Sequence, residues 1–254
     1  NPNWSKLYAP GSELKQYALD VADKYDIRRF MRFNTTVEGA TWDEDASMWQ
    51  VTLADGETLT TRFLMCATGF LSQPAAPDIP GLEDFEGHIV HTARWDDEYD
   101  FTGKRAAMIG TGSTAVQVIP ELAPVIGDLT VYQRTPMWVM PKLDLPIPAA
   151  MREVFRRVPA TQRAVRWVTD VTQEILMLIA MWKYRRFRAL NDSAKKLAAL
   201  FRFAQVRDRG IRQALTPSYD YGCKRPTVSN DYYRAFGRDN VHLETAGIDH
   251  IERD

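Results

Sequence analysis

The stretch KRAAMIGTGSTAVQVIPELAPVIGDLTVYQRTP, residues 104–136, decides how the chain folds. It opens on an apolar run at 106–109 and passes through the turn GTGSTA at 110–115. It then continues at helical spacing from 113 and returns as a second apolar run at 129–133. That order is strand, glycine turn, helix, strand: one βαβ unit with parallel strands. Each small residue of the turn has a task in dinucleotide binding. Gly110 permits the tight turn, Gly112 lets the backbone approach a pyrophosphate, and Ala115 takes the third small position, where helix and strand pack closely. The helix N-terminus, with Thr111, Ser113 and Thr114 around it, offers free N–H groups and the positive dipole end to phosphates. Taken alone the motif is weak; its weight comes from the strand before it and the helix after it. The alternative is a glycine turn in an α/β unit with no ligand.

The end of the second strand selects the cofactor. NAD sites place an acidic residue about 20 positions on, against the ribose 2′-hydroxyl. This chain has Gln133, Arg134 and Thr135 there. A guanidinium at that place pairs with a 2′-phosphate, so NADP is expected rather than NAD. A solvated strand-end arginine is the competing reading.

The composition sets bounds on the rest. The chain has 254 residues, 45% of them hydrophobic and 26% charged, which is the balance of a globular protein. A net charge of −1 gives no electrostatic argument for nucleic acid or an anionic membrane. Cys66 and Cys223 form no disulfide framework and suit a reducing compartment, so a cytoplasmic location is expected. The most apolar run, ILMLIAMW at 175–182, is far shorter than a membrane span requires. No metal-ligand spacing and no Ser–His–Asp arrangement is supported.

Upstream, Ser12 is expected to cap a helix through ELKQYALDVADKYD, with Leu14, Tyr17, Ala18, Val21, Ala22 and Tyr25 on its apolar face. Residues 31–64 alternate like strands, with a turn at Asp55-Gly56. RFLMCATG, 62–69, is expected as a buried strand ending on a glycine, and the Pro- and Gly-rich 70–84 as a connection between lobes. FEGHIVHTARWD, 85–96, follows no helical or strand rhythm and reads as a linker with a specific task. Downstream, Lys142 to about Leu215 is helical, including a basic, aromatic helix at 163–190. That helix is expected to be buried within a helical subdomain; Trp167, Trp182, Lys183, Arg185, Arg186 and Arg188 would also suit a membrane surface. YGCKRPTVSNDYYRAF reads as a loop and a short helix, and NVHLET as a strand.

Phe85, Gly87, His91 and Trp95 with Asp96 spell FxGxxxHxxxW followed by Asp. With the GxGxxA unit, the QRTP strand end, the ATG element Ala67-Thr68-Gly69 and the GCKRP segment, the chain resembles the type I flavin-containing Baeyer–Villiger monooxygenases over nearly its whole length. The resemblance implies an α/β architecture with two dinucleotide-binding domains. In this chain it implies a partial FAD domain at 1–83, an interdomain linker at 84–104 and a Rossmann-like NADP domain at 105–240. A helical insertion falls at about 142–215 of that NADP domain, and 241–254 begins the return to the FAD domain. It implies FAD and NADP as cofactors and a ketone with O2 as substrates. The product it implies is an ester or lactone formed through a C4a-peroxyflavin. It assigns Arg225 the stabilisation of that peroxide and the adduct, and Lys224 a place with Arg134 and Thr135 at the 2′-phosphate. Val37 and the turn Ala67, Thr68 and Gly69 would touch FAD through backbone groups. His91 would couple domain motion to catalysis; the plainer reading is that His91 and Trp95 pack and cap a linker.

The chain departs from the pattern in lacking a first GxGxxG for FAD. Its ends, NPNWSKLYAP and HLETAGIDHIERD, read as mid-chain sequence, so it is expected to be the centre of a longer protein and inactive by itself. Two other readings stay open: an NADP-binding module without flavin chemistry, and an S- or N-oxygenating flavin monooxygenase, against which Trp95 argues. Neither the ketone nor the oligomeric state is legible in the sequence.

Overall fold

The computed structural model describes residues 1–69, 71, 73–177 and 186–253, with backbone alone at 176 and 177. The chain forms two units, one of residues 1 and 9–75, the other of residues 2–8 and 76–254.

The first unit holds helix α1 (Gly11–Lys24) and an antiparallel sheet of β1 (Val37–Asp43), β2 (Met48–Leu53) and β3 (Thr58–Thr61), in the order β1-β2-β3. The β2–β3 turn is the one expected: the Gly56 N–H donates to the Leu53 carbonyl at 3.0 Å, and the Asp55 carboxylate accepts from the Glu57 N–H at 3.0 Å. Buried apolar side chains are few here, chiefly Val51 and Leu53 on one face of β2. Two expectations fail. Ser12 lies inside α1 and does not cap it; Pro10 stands at the N-cap, and no side chain bonds the first turn. RFLMCATG forms no strand: β3 ends at Thr61, and Phe63 and Met65 are 85% and 88% exposed. An apolar run becomes a buried strand only when neighbours pair with its backbone and cover both faces. The described part of this unit supplies neither.

The second unit is built on the βαβ element. Strand β4 (Arg105–Ile109) leads through the glycine turn into helix α2 (Ser113–Leu122), and strand β5 (Asp128–Tyr132) follows. Next come β6 (Val139–Met140) and the helices α3 (Ala149–Arg157), α4 (Pro159–Met177), α5 (Arg188–Gln205) and α6 (Arg209–Ala214). The chain closes with β7 (Thr227–Val228), the short helix α7 (Tyr232–Ala235) and β8 (Val241–Glu244). Strands β4, β5 and β8 form a parallel sheet in that order; β6 pairs in parallel with β7.

The core lies on one face of the parallel sheet. Ala115, Val116 and Ile119 of α2 pack with Leu129 and Val131 of β5, Val241 of β8, Leu215 beyond α6, and Tyr232, Tyr233 and Phe236 at α7. Each large aliphatic side chain so buried contributes about 1.5–3 kcal/mol. Asn240 fastens β8 to the end of α2, its amide donating to the carbonyls of Ala123 at 3.0 Å and Ile126 at 2.8 Å.

The helical stretch holds one correction. The expected helix at 163–190 is interrupted among the described residues: Arg186 and Phe187 are not helical, and Phe187 is the N-cap from which α5 starts at Arg188. Residues 178–185, with Trp182, Lys183 and Arg185, lie outside the described residues. Nor is α4 buried, since Trp167 is 67% exposed and Val168 55%. Its apolar stripe was legible as a period, and a period says nothing about what packs against it.

Candidate functional site

The glycine turn is the centre of the candidate site. Gly110 sits at φ +101°, in the region open to glycine, and its N–H donates to the Tyr132 carbonyl at 2.9 Å. Thr111 is buried and donates its hydroxyl to the Thr135 carbonyl at 3.2 Å, tying the turn to the end of β5. Gly112 is the N-cap of α2, and no side chain satisfies the first turn. A Cβ built at Gly112 would meet no atom within 4 Å, so the backbone there faces open space. Ala115 is buried against the core, as its third small position requires. An uncapped helix N-terminus opening on free space has the physical properties of an anion site.

The strand end and the GCKRP loop meet around this turn. After β5, Gln133 is buried and donates to the Ala214 carbonyl at 2.9 Å, whereas Arg134 is exposed. The Tyr219 hydroxyl donates to the Pro136 carbonyl at 3.0 Å, and the Trp138 indole N–H donates to the Tyr219 carbonyl at 3.0 Å. Burial pushes the Tyr219 phenol up, so it stays a donor. The Lys224 ammonium lies 5.1 Å from the centre of the Tyr219 ring. Two residues beyond Arg225, the Thr227 hydroxyl lies 3.0 Å from that of Ser113, on the first turn of α2. The Thr227 N–H also donates to the Trp138 carbonyl at 2.9 Å. Residues expected separately from the sequence, Gly110–Ala115, Thr135, Lys224 and Arg225, therefore belong to one hydrogen-bonded assembly or lie within two residues of it. Among the described residues, Arg134, Lys224 and Arg225 form no ion pair.

The loop carrying Lys224 and Arg225 is fastened from below by α5. Asn191 donates its amide to the Tyr221 carbonyl at 2.5 Å, and Lys195 pairs with Asp220. That bond holds the Asp220 carboxyl below its ordinary value and the Lys195 ammonium above its own. Sequence reasoning missed Tyr219, Thr227 and the Lys195–Asp220 pair. The aromatic density of YDYG was a signal for the first; the pair joins positions 25 apart and left none.

The fingerprint stretch is a set of local packings. The Phe85 ring lies where a side chain on Gly87 would go, an added Cβ falling 2.3 Å from it, so a larger residue here would displace the ring. His91 accepts at Nδ1 from the Ala93 N–H at 3.1 Å, and its carbonyl accepts from the Arg94 N–H at 2.7 Å. Trp95 stacks on Phe101 with ring centres 5.3 Å apart. Asp96 lies 3.2 Å from His88, whose ring stacks on Tyr99 at 4.0 Å. The linker is also tied to the chain's last residues: the Glu86 N–H donates to the Arg253 carbonyl at 2.8 Å, and the Ile251 N–H to that of Pro80 at 2.8 Å. Val37, Ala67, Thr68 and Gly69 belong to the first unit, where all four are exposed and Gly69 has φ +75°. Among the described residues no group of His, Cys, Asp and Glu could hold a metal, and no helix is long and apolar enough to cross a membrane.

Comparison with known proteins places this assembly. A Baeyer–Villiger monooxygenase of Streptomyces coelicolor is 37% identical over 251 residues, 99% of this chain and 47% of that protein. A 2-oxo-Δ3-4,5,5-trimethylcyclopentenylacetyl-CoA monooxygenase of Pseudomonas putida is 35% identical, over 94% of this chain and 51% of that protein. Among solved structures, OTEMO in complex with FAD and NADP superposes with a TM-score of 0.79 at 31% identity, covering 95% of this chain and 52% of that one. Cyclohexanone monooxygenase from Rhodococcus sp. Phi1 bound to NADP+ gives 0.80 at 28% identity, covering 95% of this chain and 51% of that one. The chain thus spans about half the length of the curated relatives it matches. The flavin-binding monooxygenase-like family model matches residues 2–175, and the chain belongs to that family.

Proposed function

We propose that the whole protein is an NADPH- and FAD-dependent monooxygenase that inserts one oxygen atom of O2 beside a ketone carbonyl. The balance is ketone, O2, NADPH and a proton giving ester or lactone, water and NADP+. The observation that carries this reading is the Ser113–Thr227 contact, which joins the dinucleotide turn to the loop bearing Lys224 and Arg225.

The residues present fit NADP. Gly110, Thr111, Gly112, Ser113, Thr114 and Ala115 would hold its pyrophosphate at the open, uncapped start of α2. Arg134, Thr135 and Lys224 would take the 2′-phosphate, with Tyr219 positioning the lysine. NADPH supplies hydride. Flavin, when bound, supplies the activation of dioxygen. The described part of the first unit has no glycine turn joining a strand to a helix; Val37, Ala67, Thr68 and Gly69 offer a flavin only exposed backbone and do not by themselves form its site. The chain alone is accordingly expected to bind NADP(H) without oxygenating.

Arg225 is exposed and without an ion pair among the described residues, on a loop held by Asn191 at the Tyr221 carbonyl and by Lys195 at the Asp220 carboxylate. A guanidinium keeps its proton at any working pH, so it can stabilise an anionic oxygen as charge develops without becoming a proton donor. The experiment is ketone-dependent NADPH consumption, with the product identified by mass. Arg225→Ala is expected to lower ester formation by about 100- to 1000-fold with NADPH binding within about twofold of wild type. Normal ester formation in that variant would remove Arg225 from the chemistry.

The domain limits follow the same reading. Residues 1–83 would serve the flavin side, 84–104 the hinge, and 105–240 the NADP side.

A further inference from the structure

Beyond the dinucleotide turn, α5 and α6 line an open pocket of about 360 Å³ whose lining includes Arg202, Arg209 and Arg212 and no acidic residue. Arg202 and Phe203 come from α5, Arg209, Arg212 and Gln213 from α6, and Thr216 from the turn after it. Arg202 is 5% exposed, and its Nε and Nη1 have no hydrogen-bond partner. The Tyr233 hydroxyl lies against this buried guanidinium, and an anion nearby would offset the remaining cost of burying its charge. Arg212 is held in place, Nη1 donating to the Val206 carbonyl at 3.1 Å and the guanidinium lying 4.6 Å from the Phe203 ring centre. Its remaining donors are available. Arg209 is exposed beside it, and neither it, Arg202 nor Arg212 forms an ion pair among the described residues. The nearest carboxylate in sequence, Asp208, is engaged as the N-cap of α6, accepting from the Ile211 N–H at 2.7 Å.

From this arrangement we propose that the α5–α6 cavity is a second anion site, one that takes a phosphate or pyrophosphate group of a small molecule other than the bound dinucleotide. The volume falls in the range of small-ligand sites. The guanidiniums of Arg209 and Arg212 match phosphate oxygens bidentately, with the Arg202 charge behind them, and Gln213 and Thr216 add neutral groups to the lining. None of the residues assigned to the dinucleotide lines the cavity. The proposal therefore stands independently of the NADP reading.

The test is calorimetric titration of inorganic phosphate and of inorganic pyrophosphate into the full-length protein in a phosphate-free buffer. Titrations are repeated with saturating NADP+ and with the variants Arg209→Gln, Arg212→Gln and Arg134→Ala. Saturable binding is expected that weakens at least tenfold in Arg209→Gln and in Arg212→Gln, and persists in Arg134→Ala and beside NADP+. Arg209 is exposed, so its variant keeps the fold even where a change at Arg212 disturbs α6; circular dichroism checks each. Binding that NADP+ displaces, or that Arg134→Ala abolishes while Arg209→Gln does not, assigns the anion to the dinucleotide site and overturns the proposal. No saturable binding to the wild type overturns it as well.

Discussion

Arg134 and Lys224 lie 90 positions apart in the sequence and are assigned here to the same phosphate. Arg134 follows directly from the end of β5, while Lys224 is placed by a ring: Tyr219 hydrogen-bonds Pro136 with its hydroxyl and carries the ammonium on its face. Charge-assisted hydrogen bonds of this kind contribute about 1.5–3 kcal/mol each. Arg134→Ala is expected to raise the KM for NADPH about 10- to 100-fold while leaving that for NADH nearly unchanged. Steady-state kinetics with both cofactors reads this directly, and an unaltered NADPH preference would take Arg134 out of the site. At Gly87 the constraint is steric rather than electrostatic, since any side chain there would displace the Phe85 ring.

At the scale of elements, α2 is the piece on which the site depends, because its N-terminus faces the open turn and its other side is fully buried. Ile119 has no exposed surface and lies between α2 and the sheet. Ile119→Ala is expected to destabilise the unit by about 2–5 kcal/mol, read as a lower denaturation midpoint. The loop of Lys224 and Arg225 depends on α5 through Lys195 and Asp220. The sign of its pH dependence follows from the two shifts. Asp220, depressed by its hydrogen bond to Lys195, contributes above its unfolded value and loses that contribution as pH falls through the folded one. Lys195, raised by the same bond, contributes below its unfolded value and loses it as pH rises through the folded one. The tether is thus whole between roughly pH 4 and pH 10. Lys195→Met is expected to weaken NADPH binding a few-fold across that window, measured by fluorescence titration, and an unchanged affinity would show that the loop holds its place without the tether.

Across the whole molecule, what the sequence showed well was local and what it hid was contact. The βαβ unit was readable because strand, glycine turn and helix follow one another within 33 residues of 104–136, each with its own pattern. The assembly of Thr227 on Ser113 and Tyr219 on Pro136 joins positions 114 and 83 apart, and no periodicity reports such pairs. Apolar runs misled for the same reason. RFLMCATG and α4 have the composition of buried elements, yet burial is decided by the partner surface, and in the described units both stay exposed. The local rules also favoured Ser12 as a cap, but Pro10 and Gly11 start the helix earlier. The whole protein is proposed to oxygenate a ketone with the help of Arg225. The most direct measurement supplies the full-length, flavin-loaded protein with NADPH, a cyclic ketone and isotopically labelled O2, and weighs the product. A lactone carrying one labelled oxygen is expected from the wild type, and its near loss from Arg225→Ala. NADPH oxidation with no labelled lactone across a panel of ketones, or equal labelling in the variant, would contradict it.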